Sequence, residues 1–318
     1  MLLKKIFTII LSVFISILAS EAILRIKNHI VIDYDVEMWR YAKELKVKDQ
    51  NPKINHTHKK NAEAILQTVN IRTNKYGQRA ENYQNEDLKR YERSFLFLGS
   101  SITLGWGVEF DKTYVELLNA KSSKEEKNWI FVNGGIGNYN TERYVNNYLE
   151  YWSELNFTDI VINFFVNDTE IIENSKNNIL YNNTHLGVAI WKIANSLKSI
   201  NKNETLEEYY RTKYDDNYEG FKNSQKEIIN LLNFCNSKGI KLHIVLIPDI
   251  HKTSPYPLTF IDKKISKFAN INNIPYKDLF IDIANVENSI LWNKYNDPHP
   301  NENGHKIFAD SIYQFLNK

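Results

Sequence analysis

The chain has 318 residues, 42% of them hydrophobic and 25% charged, with a formal net charge of +2. That length and apolar content supply one large core and exclude a disordered chain. The near-balanced charge excludes a nucleic-acid binder that works by a basic surface. One cysteine, Cys235, excludes an intrachain disulfide and a cysteine-based metal site. It ends the helical apolar pattern Leu231-Leu232-Asn233-Phe234-Cys235, where a buried structural thiol is expected.

The first 25 residues read as a targeting segment. Lys4 and Lys5 precede an uncharged run from Ile6 to Ser20, followed by Glu21-Ala22-Ile23-Leu24-Arg25. With Glu21 at the interface, Ile6 to Leu24 is just long enough to span a bilayer. Ser20-Glu21-Ala22 frames a glutamate between small residues and makes a poor cleavage site, so an uncleaved signal anchor is expected. The two lysines then stay on the cytoplasmic side and the rest of the chain is exported, to the periplasm or the exterior. Membrane is the partner this segment implies; nucleic acid is not.

Residues 26–90 form a polar and aromatic extension of weak periodicity, with a short helix expected within Tyr34 to Lys48. His56 and His58 stand two apart with no nearby carboxylate, and Pro52 to Lys60 reads as a solvated loop rather than a metal site. Asn74-Lys75-Tyr76-Gly77 reads as a turn.

From Ser94 onward, strands and helices alternate. Apolar runs at Ser94–Leu98, Trp129–Val132, Asp159–Phe165, Lys241–Ile247 and Tyr276–Ile281 are near-continuous, as parallel strands covered on both faces should be. Helical patterns lie near Tyr114–Ala120, Glu142–Glu150, Ser224–Lys238, Leu258–Asn270 and Asn303–Leu316. Gly239 is placed to end the third of these helices. The alternation predicts a doubly wound α/β domain over 91–318. Residues 170–222 break the rhythm and read as an insertion, helical around Leu186–Leu197.

In an open parallel sheet, ligands bind beyond the carboxyl ends of the strands. Four polar motifs fall there: Gly99-Ser100-Ser101, then Asn133-Gly134-Gly135-Ile136-Gly137-Asn138-Tyr139-Asn140-Thr141, then Asn167-Asp168, and last Asn296-Asp297-Pro298-His299-Pro300. Each alone fits an ordinary turn or helix cap, Asn167 a cap for a helix starting at Asp168. Four in this order and at these positions do not.

As a set they resemble the SGNH/GDSL hydrolases. The resemblance covers roughly residues 70–318. Asn74-Lys75-Tyr76-Gly77-Gln78-Arg79 resembles the Asn-x-x-Gly-x-Arg stretch of a membrane-anchored bacterial subgroup. What the resemblance implies is a flavodoxin-like three-layer α/β/α sandwich, preceded here by the N-terminal hydrophobic helix. It also implies O-acyl hydrolysis or transfer without a metal or other cofactor. Ser101 is then the nucleophile, His299 the base and Asp297 the acid that orients it. The oxyanion donors are the Ser101 and Asn138 N–H groups and the Asn167 side-chain amide.

The chain departs from the family in four places. Ser100 stands where Asp is usual, Asn138 where Gly is usual, and Phe165 where Gly is usual. The acid stands two residues before the histidine rather than three, where this chain has Asn296. Asn138 serves as a donor only with a left-handed backbone, which asparagine tolerates best among non-glycine residues. Should Asp297 point elsewhere, Asp168 is the substitute acid.

The leading expectation is an exported esterase that removes O-acyl groups from a small molecule or a surface glycan. The alternatives are an O-acyltransferase using the same nucleophile and a non-catalytic glycan-binding or assembly protein on the same scaffold. His243, within a strand, is expected to be a satisfied core residue. His305 is expected to be packed or solvated, and Trp106 to belong to the core.

Overall fold

The computed structural model describes residues 1–172, 181, 183–199, 204–293, 297 and 299–318. In chain order the elements begin with helices α1 (Leu2–Ile30) and α2 (Tyr34–Glu44). Two antiparallel pairs follow: β1 (Lys46–Lys48) with β2 (His56–His58), and β3 (Glu63–Leu66) with β4 (Val69–Arg72). Next come β5 (Arg93–Gly99), α3 (Ser101–Leu104), α4 (Tyr114–Lys124), β6 (Trp129–Gly135), α5 (Thr141–Asn147) and β7 (Asp159–Phe165). The chain continues through α6 (His185–Ser199), α7 (Leu206–Lys213), α8 (Glu219–Lys238), β8 (Lys241–Ile247), α9 (Thr259–Ile271), β9 (Tyr276–Asp278), α10 (Phe280–Ile283) and α11 (Glu302–Leu316).

Two compact units emerge, one of Met1–Glu44 with Ser175–Asn203 and one of Leu45–Asn174 with Glu204–Lys318. In the first unit, α1 is about 43 Å long at 1.5 Å per residue, against a hydrocarbon core of about 30 Å. Its most apolar 18-residue window has a mean hydropathy of 2.3, and none of that window is buried, so by length and composition α1 can cross a membrane. The helix runs past residue 25, the expected end of the anchor. Glu21 is satisfied within this unit: its carboxylate accepts the Arg25 Nε–H at 2.8 Å and the first N–H groups of α6, from His185 at 3.1 Å and Leu186 at 2.9 Å. Lys192 on α6 reaches Asp33 at 3.0 Å and Asp35 at 2.8 Å.

The second unit is built on a five-stranded parallel sheet of order β6-β5-β7-β8-β9. This is the doubly wound, flavodoxin-like order. The steps β5→β6 and β6→β7 run in opposite directions, so right-handed crossovers put α4 and α5 on opposite faces. Each is joined there by a second helix, α4 by α11 and α5 by α8. Covered on both sides, β7 is buried at every residue and β5 and β8 at all but their first. The crevice at the carboxyl edge opens where the strand order reverses, between β5 and β7.

Several local expectations change. Pro52 to Lys60 is not a solvated loop: His56 and His58 lie on β2 and are buried. Each ring nitrogen that meets a backbone carbonyl, Gly137 for His56 and Gly77 for His58, replaces water with a fixed partner. Ile54, Tyr83 and Leu88 belong to the same core as the sheet, in the unit that begins at Leu45. The strand expected over Tyr276–Ile281 ends at Asp278, whose carboxylate accepts the Phe280 N–H at 2.9 Å and starts α10. Of the expected insertion, α6 joins the first unit and α7 the second.

A buried ion cluster ties the amino ends of three strands. Arg93 on β5 meets both oxygens of Asp159 on β7, at 2.6 and 3.2 Å, and His243 Nε2 on β8 meets Oδ1 at 2.8 Å. Burial alone would raise the Asp159 pKa, but hydrogen bonds from His243, Arg93 and Thr158 outweigh it and hold the carboxyl at about 2, below its usual 3.8. A depressed folded-state pKa stabilises the fold above the unfolded value and is lost as pH falls through the folded one. The wild-type chain in mild detergent should lose roughly 2 kcal/mol of unfolding free energy from this group between about pH 4 and pH 2. Urea titrations across that range should show the loss in wild type and a flatter response in Asp159→Asn; equal slopes would refute the assignment.

Candidate active site

Strand β5 ends in Gly99, and the chain turns through Ser100 into the single turn α3. The turn presses on the sheet more closely than side chains allow. A Cβ on Gly99 would stand 2.2 Å from Thr103 Oγ1, and one on Gly135 would stand 2.2 Å from the Leu104 nitrogen. Asn133 on β6 binds the turn from beneath, its amide donating to the Thr103 carbonyl at 2.7 Å while its oxygen accepts the Gly135 N–H at 2.9 Å.

The end of the turn is held by Arg79. This fully buried side chain donates to the carbonyls of Leu104 (2.9 Å), Gly105 (2.7 Å) and Val108 (2.8 Å). The Asn-x-x-Gly-x-Arg stretch thus has a mechanical reading. Asn74 Oδ1 accepts the N–H groups of Tyr76 and Gln78, at 2.9 and 3.0 Å, and closes the turn; Arg79 then reaches the carbonyls at the end of α3.

Ser101 opens α3, half-buried, and its Oγ lies 2.7 Å from His299 Nε2. His299 Nδ1 lies 2.6 Å from Asp297 Oδ1, and that same oxygen accepts the His299 N–H at 3.0 Å. Both His299 and Asp297 are 3% exposed. The structure therefore joins Ser101, His299 and Asp297 in one hydrogen-bonded line.

The histidine loop is locked without help from a regular element. The Asn293 N–H donates to the His299 carbonyl at 3.1 Å, the Asn301 N–H to the Leu291 carbonyl at 2.8 Å, and Trp292 forms an antiparallel bridge with Pro300. Asn301 then caps α11 through the N–H groups of Asn303 and Gly304. Trp106 is fully buried, its ring 6.3 Å from that of His299. Asn296 and Pro298, which entered the expectation for this loop, lie outside the described residues.

The substitute acid is engaged elsewhere. Asp168 is buried and accepts the Tyr144 hydroxyl at 2.9 Å, while its main-chain carbonyl accepts the Thr141 N–H at 3.4 Å. Burial pushes its pKa well above the usual carboxylate range. No helix begins at Asp168; residues 166–169 form a turn, and the buried Asn167 side-chain oxygen has no partner there.

Asn138 has a φ of 66°, the left-handed backbone that its place after β6 demands. Neither its N–H nor that of Ser101 meets a hydrogen-bond partner among the described residues. The carboxyl edge thus carries free donors beside a serine that touches a base. That set can take a proton from the hydroxyl and hold negative charge on an oxygen formed at the acyl carbon.

One neighbour of the site escaped the sequence reading. His251, in the loop after β8, stacks on Trp292 with rings 5.0 Å apart, and its Nε2 donates to the Asp297 carbonyl at 3.1 Å. A hydrogen bond to Asp249 raises its pKa, which favours the charged, doubly donating ring. Asp249-Ile250-His251 follows a strand end and carried that signal. His305 and His243 behave as packed residues. His305 Nδ1 accepts the Tyr114 N–H at 2.9 Å, and burial lowers its pKa to about 3.

No family model and no curated protein sequence matches this chain. Solved structures do. The psychrotrophic esterase EstA of Pseudoalteromonas sp. is 14% identical, with a TM-score of 0.45, over 71% of this chain and 100% of that one. A lipolytic protein of the G-D-S-L family from Veillonella parvula is 16% identical, with a TM-score of 0.45, over 71% of this chain and 99% of that one. A two-domain esterase active on acetylated mannans is 15% identical, with a TM-score of 0.43, over 71% of this chain and 49% of that one.

Proposed function

We propose that this chain is a serine esterase of the SGNH/GDSL type, anchored in a membrane by α1, that removes O-acyl groups from a surface glycan. The observation that carries the reading is the contact of Ser101 Oγ with His299 Nε2 at 2.7 Å, with Asp297 on the far nitrogen of the same ring at 2.6 Å. A serine hydroxyl is a weak nucleophile and needs a base in contact with it. Asp297 fixes the imidazole with its Nδ1 protonated, which leaves Nε2 free to take the serine proton.

The reaction follows from those contacts. Ser101 Oγ attacks the acyl carbon as His299 takes the hydroxyl proton. The N–H groups of Ser101 and Asn138 and the Asn167 amide hold the resulting oxyanion. The ester C–O bond then breaks, and His299 returns the proton to the leaving alcohol oxygen. Water, deprotonated by the same ring, attacks the acyl-serine and releases the carboxylic acid.

The intact chain of contacts favours an enzyme over a binding protein on the same scaffold. The glycan follows from the membrane address: with Lys4 and Lys5 held inside, the second unit faces the outer surface, where acylated polymers are within reach.

Full-length protein in detergent should hydrolyse p-nitrophenyl acetate, and Ser101→Ala should lower kcat at least ~10³-fold. A fluorophosphonate should label wild type at Ser101, by mass, and leave Ser101→Ala unlabelled. Full activity in Ser101→Ala would refute the mechanism. Asp297→Asn, which removes the acceptor for Nδ1–H, should lower kcat by about 10³–10⁴-fold while the fold melts at the wild-type temperature. Saturating glycan acceptor should leave free acid as the product; acyl transfer to the acceptor would replace hydrolysis with transferase activity.

A further inference from the structure

The Asn138 N–H belongs to the peptide between Gly137 and Asn138, and the carbonyl of that same peptide is gripped from outside the sheet. His56, on β2 and 7% exposed, brings its Nε2 to 3.0 Å from the Gly137 oxygen. Its Nδ1 lies 3.0 Å from Asn55 Oδ1. The Tyr139 hydroxyl returns from the loop to the His56 carbonyl, and the two rings lie 5.0 Å apart. On the next peptide, Arg143 Nη1 donates to the Asn138 carbonyl at 2.8 Å, and its Nη2 donates to the Ile172 carbonyl at 3.1 Å.

We propose that His56 and Arg143 are positioning residues that aim the Asn138 N–H at the oxyanion, which makes the β1–β2 pair a working part of the site. A trans peptide is planar, and its C=O and N–H point in opposite directions. Fixing the Gly137 oxygen on His56 therefore fixes the direction of the Asn138 N–H on the other side. A hydrogen bond on the carbonyl also polarises the amide it belongs to, which strengthens the N–H as a donor.

Fixing both flanking carbonyls explains how a non-glycine residue keeps a left-handed backbone at this point. The Gly137 oxygen only accepts, so the ring must present Nε2–H. Burial, with the Lys46 charge close by, keeps His56 well below its usual pKa.

This inference rests on Ser101 being the nucleophile, and the test separates the two. Full-length protein in detergent is assayed with p-nitrophenyl acetate and with a fluorophosphonate, whose phosphoryl oxygen enters the same hole. His56→Leu fills the space without a donor and should lower kcat about 10-fold, less than the ~10²–10³-fold that deletion of a donor costs. KM should stay within about twofold, since the contact matters most when charge develops. His56→Gln, whose amide nitrogen can reach the same carbonyl, should recover most of kcat.

The rate of Ser101 phosphonylation should follow kcat across the series. Arg143→Met, which releases the neighbouring carbonyl, should show the same split and decides the matter if His56→Leu does not fold. Unchanged kcat in His56→Leu or Arg143→Met, or a rise in KM alone, overturns the inference while the loss of activity in Ser101→Ala leaves the nucleophile standing. Activity retained in Ser101→Ala overturns the nucleophile, and the inference with it.

Discussion

The site depends on how closely one helical turn lies against two strand ends. Between α3 and the tips of β5 and β6 there is no space for a Cβ at Gly99 or Gly135, so the turn meets the sheet backbone to backbone. Such an approach leaves main-chain carbonyls in a dry setting, where each needs a partner. Asn133 supplies one from below and Arg79 supplies three from the side. Ser101 is therefore carried by a segment whose backbone is pinned at both ends before its side chain makes any contact. Bringing the Ser101 hydroxyl to His299 is then a matter of rotating one side-chain bond.

The polar segment before the sheet belongs to this arrangement. Residues 45–90 reach the carboxyl edge of the sheet at two points, Arg79 on the serine turn and His56 on the loop after β6. Both are cationic or protonatable side chains used as uncharged-acceptor binders: their partners are carbonyls, not carboxylates. Tyr139 closes the circuit by bonding back to the His56 carbonyl, so the loop and β2 hold one another.

Most of the sheet could be read from the sequence because its strands are long apolar runs, and β7 and β8 begin and end where the pattern does. The order of the polar motifs pointed to Ser101, Asp297 and His299, which lie at a strand end and in a loop before a helix and meet through hydrogen bonds. β1 and β2 could not: three residues each, they are too short for a periodic signal, and the burial of His56 and His58 comes with partners far along the chain, Gly137 and Gly77. His56 therefore looked solvated. Arg79 was visible as a motif, but its targets lie 25 to 29 positions away, a distance no local pattern encodes. The end of β9 was missed because Asp278 starts a turn within an apolar run.

The acid and base stand two positions apart, and Asp297 accepts both the ring and the main-chain N–H of His299. The pair is thus a local unit, assembled by a single loop and indifferent to the rest of the topology. Only one contact in the triad, between Ser101 and His299, must bridge a long separation, 198 positions in the sequence. Where acid and base come from distant loops, every change in length between them threatens two alignments. Here a change in length threatens one, and the segment between β7 and β8 has grown long without any demand on the geometry of the proton relay.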